Sequence, residues 1–346
     1  MLILMYASRP KAQHIFERLV ASVPADQTSR ALGAIFLVDF FDHLRRERFP
    51  EDWLDRFDKS IDECLDACRF LLTRLDRDHV LLKEVGSVVD GSVEYKTGKV
   101  YYELWKDFDN TEYYDHARTT LAERLSKNGI SVNGFVSALD DGCGSGRYTV
   151  ALKNLGCGHV TGVDISENSV AFAKTMNPYG DDVSFLQASV LDLPFADEFY
   201  DLVFSNGVLH HTKDTKQGLG EIYRVLKTGG SCWLYLYGGK DSFFWDSIDC
   251  CRLLLQNVPQ SYTASLMKIL GYGPGRIFHR NDFFYVPIHN RYSQKEVEEL
   301  LASVGFVNFR RLTRGASHDW DEITHNNPHI DPYIYGEGEM RYWIEK

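Results

Sequence analysis

The spacing of apolar and polar positions changes character twice along the chain. Up to about residue 90, apolar residues recur at intervals of three and four, the period of helices with one buried face. Three helices are predicted: 11–23, ending before Pro24; 29–48, ending before Pro50; and 51–75. In the last, Leu54, Phe57, Ile61, Cys64, Cys68, Leu71 and Leu75 fall in one stripe, the pattern of a helix packed along a seam. Residues 1–90 therefore read as an N-terminal helical domain. Strand-forming residues around Lys96-Thr97-Gly98-Lys99 then predict a hairpin within 88–104. A helix over 111–128 follows, capped by Asp109 or Asn110 and stopped by Gly129, with Tyr114, Leu121 and Leu125 facing the core.

From about residue 130 short apolar runs alternate with helical segments. Strands are predicted at 135–139, 159–164, 183–187, from 201, and at 231–237, with helices at 148–155, 166–176 and 218–226 between them. That alternation implies a mostly parallel sheet with ligands at the carboxyl ends of its strands. After Gly238-Gly239 the rhythm breaks into an insertion at about 240–290: helices at 243–257 and 261–270, a loop at 271–275, then a basic and aromatic stretch. Ser293-Gln294-Lys295-Glu296 is a capping box for a helix to Ser303, which Gly305 ends. Strands at 306–313 and 340–345 complete a second domain over 91–346.

The candidate chemistry lies where the strands end. Leu139-Asp140-Asp141-Gly142-Cys143-Gly144-Ser145-Gly146-Arg147 joins a strand to a helix through alternate glycines. Glycines there let the backbone turn tightly and approach a ligand where a Cβ would clash, with helix-start amides facing it. A dinucleotide fold wants G-x-G-x-x-G, and here the third glycine comes one residue early. Asp164 ends the second strand 18 residues after Gly146, a spacing that suits a carboxylate on ribose hydroxyls.

With these residues in place, the stretch resembles the D/E-x-G-x-G-x-G motif of the class I S-adenosylmethionine-dependent methyltransferases, in particular the type of ubiquinone and menaquinone biosynthesis. Ser189-Val190-Leu191-Asp192-Leu193-Pro194-Phe195 resembles the family segment G-D-x-x-x-L-P-F, with Ser189 at the acidic position. The stretch from Asp201 to His211 resembles D-L-V-x-S-x-x-V-L-H-H. The resemblance covers about 110–237 well and 290–346 moderately. It implies an α/β, Rossmann-like, seven-stranded and mostly parallel sheet with a closing antiparallel hairpin, beside the N-terminal helical domain. It also implies S-adenosylmethionine as cofactor and methyl transfer to an O, N or C atom of a small molecule. Asp140, Gly142, Cys143, Gly144 and Gly146 would hold the methionine portion, Asp164 and Ile165 the ribose, and Ser189 and Val190 the adenine. A hydroxyl at 189 accepts more weakly than a carboxylate. Asn206 and Gly207 would lie near the reacting end, with His210 or His211 as the base. The family often closes the segment before the first motif over the methionine end, which makes Tyr101, Tyr102, Trp105, Tyr113 and above all Tyr114 cofactor candidates through cation–π contact.

Composition narrows the choice. A net charge of −11 argues against a surface that neutralises phosphates, so nucleic acid is disfavoured as a partner. The seven cysteines are scattered and without zinc-type pairs, which reads as reduced thiols in a cytoplasmic protein. No run approaches a membrane span. Arg276, His279, Arg280, His289 and Arg291 interleave with Phe278, Phe283, Phe284, Tyr285 and Tyr292. That reads either as an acceptor lid for an apolar or anionic substrate, with Trp245, Tyr285 and Arg291 as its contacts, or as a hydrophobic subdomain with solvated arginines. His318, His325 and His329 lie among loop signals and are not read as a metal site. Residues 1–90 could gate the site, form a homo-oligomer or dock a protein or peptide substrate. The competing readings are a nicotinamide oxidoreductase, a protein methyltransferase and a non-catalytic scaffold that binds the cofactor.

Overall fold

The computed structural model describes residues 9–46, 50, 52–74, 110–326 and 334–346. The hairpin expected within 88–104, and with it Tyr101, Tyr102 and Trp105, lies outside the described residues, as does His329. Two compact units are present. One draws on 1–90, 241–285 and 329–336, the other on 91–240, 286–328 and 337–346.

The second unit is built on one sheet of seven strands among the described residues: β1 Ser137–Asp141, β2 His159–Asp164, β3 Val183–Gln187, β4 Tyr200–Asn206, β5 Leu226–Leu236, β6 Asn308–Leu312 and β7 Met340–Glu345. Their order is β3-β2-β1-β4-β5-β7-β6. β1 to β5 run parallel, and β7 runs antiparallel to both β5 and β6. The chain winds outward in opposite senses from β1, so a crevice opens at the β1–β4 junction, over the strand ends that carry the glycine turn and Asn206. β1 and β4 are almost wholly buried on both faces, as the central strands of a doubly covered sheet must be. Successive residues point to opposite sides. Leu139, Val203 and Leu234 pack under the helices Thr215–Val225 and Gln294–Val304. Ala138, Phe204 and Trp233 pack under Asn110–Lys127, Arg147–Asn154 and Glu167–Thr175. The capping box at Ser293 is formed, and Gly305 closes its helix in the left-handed region.

Three local expectations change. β5 begins at Leu226, through the stretch 227–230 read as a turn, because Leu226 pairs with Tyr200 before the register shifts to Leu202 opposite Ser231. The stretch around His318 and His325, read as loop, carries the helix Trp320–Asn326. The loop at 271–275 ends early, because Pro274 opens the helix Pro274–Tyr285. A proline without an N–H is harmless in the first turn of a helix, where that donor has no acceptor anyway. Ile277, Phe278, Asn281 and Phe284 then form its buried stripe.

The other unit is helical: Arg9–Ser22, Gln27–Arg46 and Trp53–Arg74 pack with Phe243–Leu254, Gln260–Ile269 and Pro274–Tyr285. Helices read from sequence as an insertion in the second domain thus belong with the N-terminal ones. Phe243 makes the reason plain, since its ring packs against Phe16, Phe41, Trp53 and Phe57. Arg9 bonds both oxygens of Asp246, and Arg280 bridges Asp39 and Asp42. The stripe on the third helix buries Phe57, Ile61, Cys64 and Cys68.

Candidate active site

The glycine turn at the end of β1 is fixed from beneath. The amides of Gly142 and Cys143 donate to the Val163 carbonyl at 2.9 and 2.7 Å. Gly142 and Gly146 have φ of +83° and +79°, where side chains are strained. A Cβ on Gly142 would come within 2.4 Å of Val208, and one on Gly146 within 2.7 Å of the Phe185 ring. The turn is therefore packed tightly against Val208 and Phe185 at two positions where only glycine fits.

Asp164, at the tip of β2, uses its carboxylate as a hinge pin. Oδ2 accepts from Gly144 N at 2.9 Å and Oδ1 from Ser166 N at 2.8 Å. Each oxygen has two lone pairs, so one on each is left to accept from a diol. Burial raises its pKa, and those two amides hold it down. Asp140 is buried beneath the turn, where Thr149 Oγ1 donates to it at 2.6 Å; burial, the dominant cause, pushes its pKa up to about 7. Asp141 is 0% exposed, and among the described residues only Ser205 comes near enough to its oxygens to oppose the cost of burial. Burial drives it up to about 8. Tyr114 reaches across from the helix Asn110–Lys127, its hydroxyl donating to the Ser145 carbonyl at 2.5 Å. Further along the edge, Ser189 Oγ accepts from Leu191 N at 3.2 Å, which occupies one lone pair of the hydroxyl, and Val190 is buried beside it. The Ile165 carbonyl accepts from Gln187 Nε2 at 3.1 Å.

At the carboxyl end of β4, Asn206 Oδ1 accepts from the Trp233 indole at 3.0 Å, and Gly207 N donates to the Tyr235 carbonyl at 3.1 Å. The short helical turn Leu209–His211 carries the histidine pair. His210 is 0% exposed and stacks on Tyr237 at 3.6 Å. Its Nδ1 accepts from Tyr237 N at 3.1 Å. An amide only donates, so the proton of the neutral ring sits on Nε2, and the lone pair a base would use is taken. Burial, then His211 and His289, lowers its pKa well below the ordinary value. His211, 3% exposed, is wired the other way: Nδ1 lies 2.7 Å from the Ile288 carbonyl. A carbonyl only accepts, so Nδ1 carries the proton and the lone pair is on Nε2. Of the two histidines offered as the base, His210 spends its ring lone pair on a backbone amide, whereas His211 spends its ring proton on a backbone carbonyl.

The segment 288–292 straps this corner. Asn290 N donates to the His210 carbonyl at 3.0 Å and Tyr292 N to the Tyr237 carbonyl at 2.9 Å. Arg291 is carried by the strap. Trp245 and Tyr285 belong to the helical unit. Trp245 is 1% exposed between Phe244 and Phe283, and the Tyr285 hydroxyl pairs with Thr263 at 2.5 Å, surroundings of core side chains. Among the described residues no group of three or more His, Cys, Asp or Glu side chains could hold a metal.

Sequence reasoning passed over Tyr235 and Tyr237, near and just past the end of β5, whose rings both pack against His210. It also missed a buried ionic cluster beside them. Arg341 pairs with Glu339 at 2.6 and 2.8 Å and with Asp319 at 3.1 Å, and Arg124 bonds Asp319 at 2.8 and 2.7 Å. Arg124, Asp319 and the Glu339–Arg341 pair come from three distant stretches of the chain, and no local signal joins them.

The sheet order, the glycine cradle and the acidic tip of β2 define a nucleoside-binding α/β protein. The methyltransferase domain family model matches residues 139–234. The O-methyltransferase rstn1 of Aspergillus nomiae is 30% identical over 153 residues, 42% of this chain and 68% of that protein. Arsenite methyltransferase of Mus musculus is 42% identical over 138 residues, 36% of this chain but 35% of the relative, and demethylmenaquinone methyltransferase of Staphylococcus aureus is 38% identical over 110 residues, 31% and 45%. The chain thus spans less than half the length of the last two. It belongs to the class I S-adenosylmethionine-dependent methyltransferases, and S-adenosylmethionine is its cofactor. The glycine turn, close to Asp164 through Gly144 N, and the spare lone pairs of that carboxylate fit that group.

Proposed function

We propose that this chain methylates a hydroxyl oxygen of a small-molecule acceptor. S-adenosylmethionine supplies a methyl group on a positively charged sulfur, an electrophile whose leaving group needs no further activation. The protein's contribution is then alignment, exclusion of water and removal of one proton. Asp164 grips the ribose, Ser189 and Val190 border the adenine, and Asp140 supports the glycine turn from below through Thr149. Asn206, Gly207 and the strap at Arg291 frame the acceptor.

One observation carries the choice of acceptor atom: the His211 tautomer set by the Ile288 carbonyl, which puts the ring lone pair on Nε2, just past the end of β4. A neutral hydroxyl is a poor nucleophile until its proton leaves, whereas an unprotonated amine or a sulfur needs no base. The name of the Aspergillus relative agrees with oxygen as the atom. Incubation with methyl-labelled S-adenosylmethionine and a fractionated cell extract tests the reading. Label is expected in the small-molecule fraction, on oxygen. Label in protein or nucleic acid, or no turnover of bound cofactor, overturns it.

A further inference from the structure

Arg147 is the first residue of the helix that follows the glycine turn. Its guanidinium carbon lies 4.6 Å from the centre of the Tyr113 ring and 4.9 Å from that of Tyr148. Those rings account for its contacts; among the described residues it has neither an ion pair nor a side-chain hydrogen bond. The two enclosed arginines nearest in kind, Arg124 and Arg341, are each bonded to a carboxylate through two nitrogens. Asp140 is the carboxylate whose field reaches Arg147, but it is committed to Thr149 beneath the turn.

A cation enclosed without a carboxylate among the described residues is costly at this position. A helix start is the positive end of its dipole and favours an anion. Here the first turn has no acidic residue, and Gly146 as N-cap offers no side chain to the amides. A fork of guanidinium donors and the helix start thus share one gap in negative charge, and two aromatic faces hold the fork in place.

The edge of the sheet says which anion belongs there. Along β3-β2-β1 the candidate contacts run from Ser189 to Asp164 to the glycine turn, and Asp164 is tied directly to Gly144 N. A nucleoside laid along that line has its adenine at β3 and its ribose at β2. Its 5′ substituent continues over the turn toward residue 147. We propose that Arg147 is the positioning residue that pairs with the α-carboxylate of S-adenosylmethionine, fixing the amino-acid end so that the methyl group is directed toward the end of β4. This rests on the reading that the glycine turn holds the cofactor.

The test compares two ligands by calorimetry: S-adenosylhomocysteine, and S-adenosyl-3-thiopropylamine, which is the same molecule without its carboxylate. Arg147→Met should lose roughly 10- to 100-fold in affinity for the first, the range of a charge-assisted contact. Its affinity for the second should stay within about twofold of the unsubstituted chain, which also shows the variant folded. Arg147→Lys should recover part of the loss, since a point charge lacks the fork. Equal losses for both ligands, or no loss for either, overturn the assignment while leaving the cofactor reading intact. If the unsubstituted chain binds neither ligand, the cofactor reading itself fails and takes this one with it.

Discussion

His210 and His211 are adjacent in sequence and opposite in chemistry. The first accepts a backbone amide through Nδ1; the second donates to a backbone carbonyl through the same atom. Which nitrogen holds the proton follows from partners that a sequence does not display. His211→Gln should lower kcat by about 100-fold, the usual share of a general base, with little change in cofactor affinity. The acid limb of its pH–rate profile should flatten. His210→Gln should disturb stability and acceptor affinity but keep that limb. A profile unchanged in His211→Gln would remove the base and with it the case for oxygen.

Among elements, the glycine turn and the β2 tip form one device. Gly146 ends the turn with a φ of +79° and no room for a Cβ beside Phe185. Gly146→Ala should cost about 1–3 kcal/mol from backbone strain alone, with a further loss as Phe185 is displaced. Chemical denaturation measures the first, and cofactor titration of the folded variant shows whether the cradle survives. The strands were legible because apolar runs between glycine and proline punctuation have few alternatives. The helix at Pro274 was not. Gly271, Gly273, Pro274 and Gly275 together signal a turn, and only burial of Ile277, Phe278 and Phe284 selects the helix. Of the interleaved basic and aromatic residues, those from Arg276 to Tyr285 lie on that helix, and Arg280 is buried among them, anchored to Asp39 and Asp42.

For the whole molecule, stability should depend on pH through the carboxyls under the turn. Asp141 has a folded pKa pushed up to about 8 from an ordinary 3.8. Between those values the folded state binds more protons than the unfolded one, so stability falls as pH rises through that window. The slope is at most about 1.4 kcal/mol per pH unit for one such group. Asp140, raised to about 7, adds in the same direction. Thermal melts of Asp141→Asn should show a gain over the unsubstituted chain that grows from pH 4 to pH 8. A gain independent of pH would mean that Asp141 is paired in the folded state.

The sequence by itself determined the strand–helix alternation, the glycine turn, the acidic tip of β2 and the histidine pair, because each is a local pattern of size, backbone freedom or charge. Tertiary structure decided which helices group with the N-terminal ones, which ring nitrogen of each histidine carries the proton, and which enclosed arginine is without a carboxylate among the described residues. Those outcomes depend on partners distant in the chain, and contact between distant residues leaves no periodicity to read.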